Sequence, residues 1–218
     1  MAVDGPGLLL LSGGFDSPVA GHLMRTVRGM EVRAIHFSLE PVTDDASTRK
    51  AAQLAASLGI RTLYVVRAGE AFKELVKHCR HKLYFVLSKR LMMRVASEVA
   101  RREGCRVLIT GESLGQVSSQ TLPNLAAIDK AATVPVLRPL LAFDKQEIID
   151  RAKAIGTYAI SVGPELCDVL GPPHPATAAK LEDVLAEESR VDVPALVASV
   201  LETLTVVDIA AKTVEVVR

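Results

Sequence analysis

The sequence predicts a doubly wound, mainly parallel α/β sheet, and three observations carry that prediction. Apolar runs recur at Leu8-Leu9-Leu10-Leu11, Val32 to Phe37, Arg61 to Val66 and Arg106 to Ile109, as strands buried on both faces do. Stretches of helical pattern separate them, in the order that builds strand-helix-strand units. Several of those stretches end on a glycine, at Gly59, Gly104 and Gly156, the residue that most readily closes a helix.

Taken in order, the first strand leads into Ser12-Gly13-Gly14-Phe15-Asp16-Ser17, and a helix then runs to about Arg28. Val32 to Phe37 is the second strand, Ser47 to Leu58 a helix, and Arg61 to Val66 the third strand. Glu70 to Glu103 is helical with a break near Cys79–Lys82, and its second piece, from Tyr84 to Arg102, is strongly amphipathic. Arg106 to Gly111 gives a fourth strand. Ala132 to Leu140, interrupted by Pro135 and Pro139, holds a short fifth, and Asp144 to Ile155 is a helix with a good N-cap. Pro164 to Pro175 is a proline- and glycine-rich loop. Ala176 to Val207 reads as a helical tail whose end is open to an extended conformation. These elements divide into a sheet domain over residues 1–170 and a helical extension over 171–218 packed on it.

Composition bounds the function. In 218 residues, 49% hydrophobic and 23% charged with no tryptophan, the chain is compact rather than disordered. No apolar run approaches the roughly 18 residues of a membrane helix, and no basic-then-apolar leader opens the sequence, so the expectation is a cytoplasmic protein with no membrane partner. The net charge of +1 does not announce a nucleic-acid binder. A local basic excess between Lys77 and Arg106 suits phosphates or, equally, a solvated helical face. Cys79, Cys105 and Cys167 form no CxxC and leave an odd count, against a disulfide framework or a zinc knuckle.

The Ser12–Ser17 stretch has the chemistry of an anion loop. Two glycines let the backbone turn after a buried strand, and Asp16, Ser17 and Pro18 suit a helix start, where backbone N–H groups point outward and favour a phosphate. The spacing is neither that of a Walker loop nor that of a dinucleotide fingerprint. It resembles the SGGxDS loop of the PP-loop ATP pyrophosphatases, of the adenine nucleotide alpha hydrolase fold type. Ligands of such sheets lie at the carboxyl ends of the strands, which puts the loop, His36-Phe37 and Gly111 along one edge.

Further motifs sharpen the resemblance. Gly111-Glu112-Ser113-Leu114-Gly115-Gln116-Val117-Ser118-Ser119-Gln120-Thr121, Lys89-Arg90-Leu91-Met92-Met93-Arg94, Asn124-Leu125 with Ile128-Asp129, Arg138-Pro139-Leu140, Asp144-Lys145-Gln146-Glu147 and Pro164-Glu165-Leu166-Cys167 together resemble the catalytic domain of the ThiI-type tRNA 4-thiouridine synthases. The similarity runs in order from about Leu8 to about Ile209. It implies an ATP-dependent tRNA uridine 4-sulfurtransferase that adenylates uridine O4, releases pyrophosphate and accepts persulfide sulfur, with a family link to sulfur supply for the thiamine thiazole.

By the same resemblance, Ser12, Gly13, Gly14 and Ser17 would hold the pyrophosphate, Leu10, Leu11, His36 and Phe37 would contact adenosine, and Arg90, Gly111 and Gln120 would complete the ATP site. Asp16, Lys145 and Cys167 match the catalytic positions, Asp16 orienting the loop or holding Mg²⁺ and Cys167 attacking the persulfide. His36 reads as well as a structural histidine, Arg90 as well as part of a solvated helix face, and Leu10 and Leu11 are core residues in either case. Cys79 and Cys105 are bystanders, Cys105 a small core residue.

The chain departs from the family at three places. It carries neither a THUMP region nor a rhodanese domain, so tRNA grip and sulfur are expected from separate proteins, a THUMP protein and a persulfide donor of cysteine desulfurase or rhodanese type. Phe85 and Ser88 stand where archaeal relatives carry a CxxC, so no iron–sulfur cluster is expected. A homodimer is left open. The alternatives are an adenylating PP-loop ligase with another acceptor, which has no use for Cys167, and the nucleotide-binding subunit of a split sulfurtransferase.

Overall fold

The computed structural model describes residues 5–116, 120–163, 169–211 and 213–216. The chain runs through β1 (Gly7–Leu10), α1 (Asp16–Thr26), β2 (Val32–Ser38), α2 (Ala46–Ser57), β3 (Thr62–Arg67), α3 (Gly69–His78), α4 (Tyr84–Arg102), β4 (Val107–Ile109), α5 (Leu122–Asp129), β5 (Val136–Leu137) and α6 (Lys145–Ala154), alternating as predicted apart from α5, which the sequence reading did not include. There follow α7 (Tyr158–Ser161), α8 (Leu181–Glu188), α9 (Val193–Leu201) and two further strands, β6 (Thr205–Asp208) and β7 (Thr213–Val216). The break between α3 and α4 is real: Cys79 leaves helical geometry with φ −109° and ψ 163°, and a 3-10 turn at His81–Leu83 restarts the chain.

The sheet order is β5-β4-β1-β2-β3-β6-β7. Its first five strands are parallel, pairing β1 with both β2 and β4. Two strands were not counted from sequence. β6 runs antiparallel along β3, with Tyr64 opposite Val206, and β7 folds back on β6. The helical reading of the tail therefore holds for α8 and α9, while its last part is extended: β-branched Thr205, Val206 and Val207 cover what would otherwise be an open edge of β3.

Alternation along each strand sorts the core into two layers. Leu8, Ile35, Tyr64, Val66 and Leu108 face α3, α4, α5, α8 and α9, where Leu87, Val95, Ile128, Val184 and Val200 meet them. Leu9, Ala34, Leu63, Val65 and Ile109 face the other way, toward Val19 and Ala20 of α1, Leu54 of α2 and Ile148 of α6. Leu8, Leu9, Leu63 and Leu108 are fully buried, each worth roughly 1.5–3 kcal/mol relative to exposure. The long α4 buries one face from Tyr84 to Ala100, while Arg101 and Arg102 end it in solvent beside Glu98.

Candidate anion-loop site

The strand order creates the site. From β1 the chain winds through β2 to β3 on one side, then returns to β4 on the other, so the connections leaving β1 and β4 diverge. That switch point is where open α/β sheets bind ligands. The Ser12–Ser17 loop leaves β1 there, and Gly111 stands just beyond β4. A β-carbon placed on Gly111 would sit 2.5 Å from the Ser17 nitrogen, 2.6 Å from the Asp16 carbonyl carbon and 2.8 Å from the Ser17 Cα. Those are backbone atoms of the helix start and cannot swing aside, so only glycine permits this approach.

Hydroxyls brace the loop from within. The Ser12 N–H donates to Ser17 Oγ at 2.9 Å, the two hydroxyls stand 3.0 Å apart, and the Gly14 N–H donates to Ser12 Oγ at 3.2 Å. Asp16 opens α1, whose N-cap residue Phe15 makes no side-chain capping bond, and the positive end of the helix dipole lies at the loop. From outside, Ser161 Oγ donates to the Gly14 carbonyl at 3.1 Å, and Phe15 stacks on Tyr158 with ring centroids 5.2 Å apart. The short α7 thus holds the loop's far side.

His36 is buried at the end of β2. Its Nδ1 lies 2.9 Å from the Leu11 carbonyl and its Nε2 lies 3.3 Å from Ser47 Oγ. A carbonyl only accepts, so Nδ1 carries the proton; burial, only partly offset by that bond, lowers the imidazole's pKa and leaves Nε2 to accept from Ser47. His36 therefore ties β1 to β2 and α2 immediately before the loop. Leu11 is buried, while Leu10 and Phe37 are partly exposed beside the core.

On the other side of Gly111 lies a charged cluster that the sequence reading did not single out. Glu112 accepts from Lys89 Nζ at 2.7 Å, Arg138 Nε at 2.7 Å and Thr110 Oγ1 at 3.2 Å, and Arg138 also pairs with Asp129 at 2.5 Å. Burial alone would raise the Glu112 carboxyl, but Lys89 and Arg138 outweigh it and hold the pKa at about 2. Gln120, almost fully buried, accepts from the Ser113 N–H through Oε1 at 3.2 Å, and its carbonyl accepts from the Gly115 N–H at 3.0 Å. It closes the loop after β4.

Other expected residues lie elsewhere. Arg90 is 1% exposed, so the solvated-face reading fails. Its Nε and Nη2 hold both oxygens of Glu188 on α8, at 2.8 and 2.9 Å, and Nη1 donates to the Ala127 carbonyl. Arg94 grips the same carboxylate at 2.6 Å. These contacts make Arg90 a joint between α4, α5 and α8, whereas its neighbour Lys89 reaches the switch-point edge. Lys145 is exposed on the first turn of α6, within the Asp144–Glu147 capping box, and α6 packs against α1.

Cys167, with Pro164 to Asp168, and Val117 to Ser119 lie outside the described residues. Cys79 and Cys105 are buried, and burial pushes both thiols up, Cys105 to about 11, so neither is a thiolate near neutral pH. Phe85 is half-buried on α4, and Ser88 is buried with its hydroxyl donating to the Phe85 carbonyl at 3.4 Å. Among the described residues, no helix is long and apolar enough to cross a membrane.

A mainly parallel sheet with a hydroxyl-braced SGGxDS loop meeting the β4 end at its switch point defines a doubly wound α/β protein of the pyrophosphate-loop class. The chain belongs to the ThiI family: the family model described as "Thiamine biosynthesis protein (ThiI)" matches residues 2–193. A "Probable tRNA sulfurtransferase" of Nocardia farcinica is 46% identical over 209 residues, spanning 93% of this chain and 50% of that relative. One of Alkaliphilus oremlandii is 43% identical over 212 residues, spanning 94% of this chain and 54% of the relative. Among solved structures, a 4-thiouridine synthetase–RNA complex with bound ATP superposes with a TM-score of 0.87 at 34% identity, covering 97% of this chain and 55% of that one. The chain spans about half the length of the curated relatives it matches.

Proposed function

We propose that this chain is the ATP-using catalytic part of a tRNA uridine 4-sulfurtransferase. The observation that carries the reading is the closure of Gly111 onto Ser17, which joins the braced anion loop to the β4 edge. The 4-thiouridine synthetase of similar fold, an RNA complex with bound ATP, supports ATP and tRNA as its ligands. The loop and the start of α1 hold the pyrophosphate portion, supplying fixed donors for charge that develops as the α–β phosphate bond breaks. Uridine O4 attacks the α-phosphorus, forming an adenylated uridine, and pyrophosphate departs.

Sulfur follows from a separate persulfide donor. The Cys167 thiolate attacks the inner sulfur of that persulfide and forms a disulfide with the donor, releasing hydrosulfide. The hydrosulfide attacks C4 and expels AMP. Lys145, on the helix packed against α1, balances phosphate charge. His36 and Leu11 fix the floor beneath the nucleotide. An Mg²⁺ accompanying ATP would find the Asp16 carboxylate at the helix start as its protein partner. Mg²⁺ would neutralise charge on the departing pyrophosphate.

The test is formation of 4-thiouridine in unmodified tRNA given ATP, Mg²⁺ and sulfide, which supplies sulfur without a protein donor. The expected result is ATP-dependent 4-thiouridine that Asp16→Ala abolishes. ATP consumption with no modified uridine, across a full set of tRNAs, would contradict the reading.

A further inference from the structure

Lys50, on the second turn of α2, has no part in the readings above. Its stem lies across the anion loop: a β-carbon on Gly13 would meet Lys50 Cδ at 3.0 Å, with Cγ and Cε each at 3.7 Å. Its ammonium donates to the Ser161 carbonyl at 2.8 Å, and the Ser161 hydroxyl in turn donates to the Gly14 carbonyl at 3.1 Å. Lys50, Ser161 and Gly13-Gly14 therefore form a closed ring around one side of the loop.

Within this ring Lys50 meets no carboxylate. Other sheltered cations meet carboxylates, Lys89 at Glu112, Arg90 at Glu188 and Arg138 at Asp129. Among the described residues Lys50 has only the neutral Ser161 carbonyl, although it is partly buried. Beside it stands the N-terminal end of α1, whose positive dipole end carries the Asp16 carboxylate in its first turn. A phosphate held at the loop would give the Lys50 ammonium an anionic partner.

We propose that Lys50 is a phosphate-binding residue of the loop. Its ammonium shifts from the Ser161 carbonyl to a non-bridging oxygen of the β- or γ-phosphate of ATP, and stays with pyrophosphate after the α–β bond breaks. The proposal rests on the ATP reading and deepens it, because it assigns a side-chain cation to the part of the nucleotide that departs. A lysine acts here as a compact point charge whose flexible stem allows the shift.

The test uses the full chain and calorimetric titration with three probes, ATP with Mg²⁺, pyrophosphate with Mg²⁺, and AMP. Lys50→Met keeps the stem over Gly13 and removes the charge; Lys50→Arg keeps a charge. Loss of one charge-assisted hydrogen bond should weaken ATP and pyrophosphate binding about tenfold or more in Lys50→Met. AMP binding should change less than twofold, and Lys50→Arg should recover most of the affinity. If the wild-type chain binds ATP and Lys50→Met binds it equally well, or loses AMP and ATP alike, the assignment to Lys50 is wrong while the ATP reading stands. If the wild-type chain binds neither ATP nor pyrophosphate, both fall together.

Discussion

Gly111 and Ser17, 94 residues apart in sequence, touch through backbone alone: the hydrogen of Gly111 faces the Ser17 nitrogen, where a methyl group would stand 2.5 Å away. This contact sets the distance between the β4 end and the loop. Gly111→Ala is therefore expected to push the helix start outward, costing about 1–3 kcal/mol of stability as overpacking and weakening ATP binding by more than about tenfold. Thermal melting and titration with ATP check it. Unchanged affinity in the alanine variant would mean that the loop tolerates displacement and that the contact is not what forms the site.

Arg90 separates packing from ligand binding. Removing it leaves Glu188 inside the protein with Arg94 as its remaining partner, and breaking a buried pair costs on the order of 3 kcal/mol. Arg90→Met should lower the melting temperature accordingly. The folded fraction should bind ATP with wild-type affinity. A loss of affinity without a loss of stability would restore Arg90 to the nucleotide site.

Two buried groups give the stability a pH profile with separate windows. His36 is held neutral, its pKa lowered from 6.5 by burial, so the unfolded chain binds its proton first. Its contribution is complete above about pH 6.5 and is lost as pH falls below that. Glu112 is held ionised, with its pKa lowered from 4.5 to about 2; its contribution is complete above about pH 4.5 and is lost as pH falls toward 2. Unfolding in urea across pH should show both declines. His36→Leu should flatten the first, and Glu112→Gln should reduce the second, which Glu188, its own pKa lowered by Arg90 and Arg94, shares; each change costs roughly 1–3 kcal/mol for the polar partner left behind. Parallel profiles for variant and wild type would remove either residue from this role.

Much of the fold is legible because it is local. Each parallel strand is a short apolar run, and the glycines that end its helices take positive φ, +65° at Gly59 and +69° at Gly104. The hairpin of β6 and β7 was hidden because its partner, β3, lies about 140 residues upstream and its valines continue a run of helical pattern. Two helices were missed because α7 has only four residues and α5 only eight, too few for a period to show.

The site divides the same way. The loop, Gly111 and Gln120 were readable as motifs within a few residues. Lys50, 111 residues from Ser161, carried no local signal, and neither did Ser161. Nor could sequence decide between Lys89 and Arg90, since adjacent helix residues point about 100° apart and only the packing of α4 tells which one faces the strand ends. Lys89 meets Glu112 and Arg90 meets Glu188.

Pyrophosphate release from ATP, with and without unmodified tRNA, in the wild-type chain and in Cys167→Ser, tests the central claim most directly. The account predicts that tRNA stimulates release in both proteins, and that with a persulfide donor only the wild type goes on to 4-thiouridine, because the loop adenylates and the cysteine delivers sulfur. Release indifferent to tRNA, or a Cys167→Ser variant that makes 4-thiouridine from the persulfide donor at the wild-type rate, would contradict it.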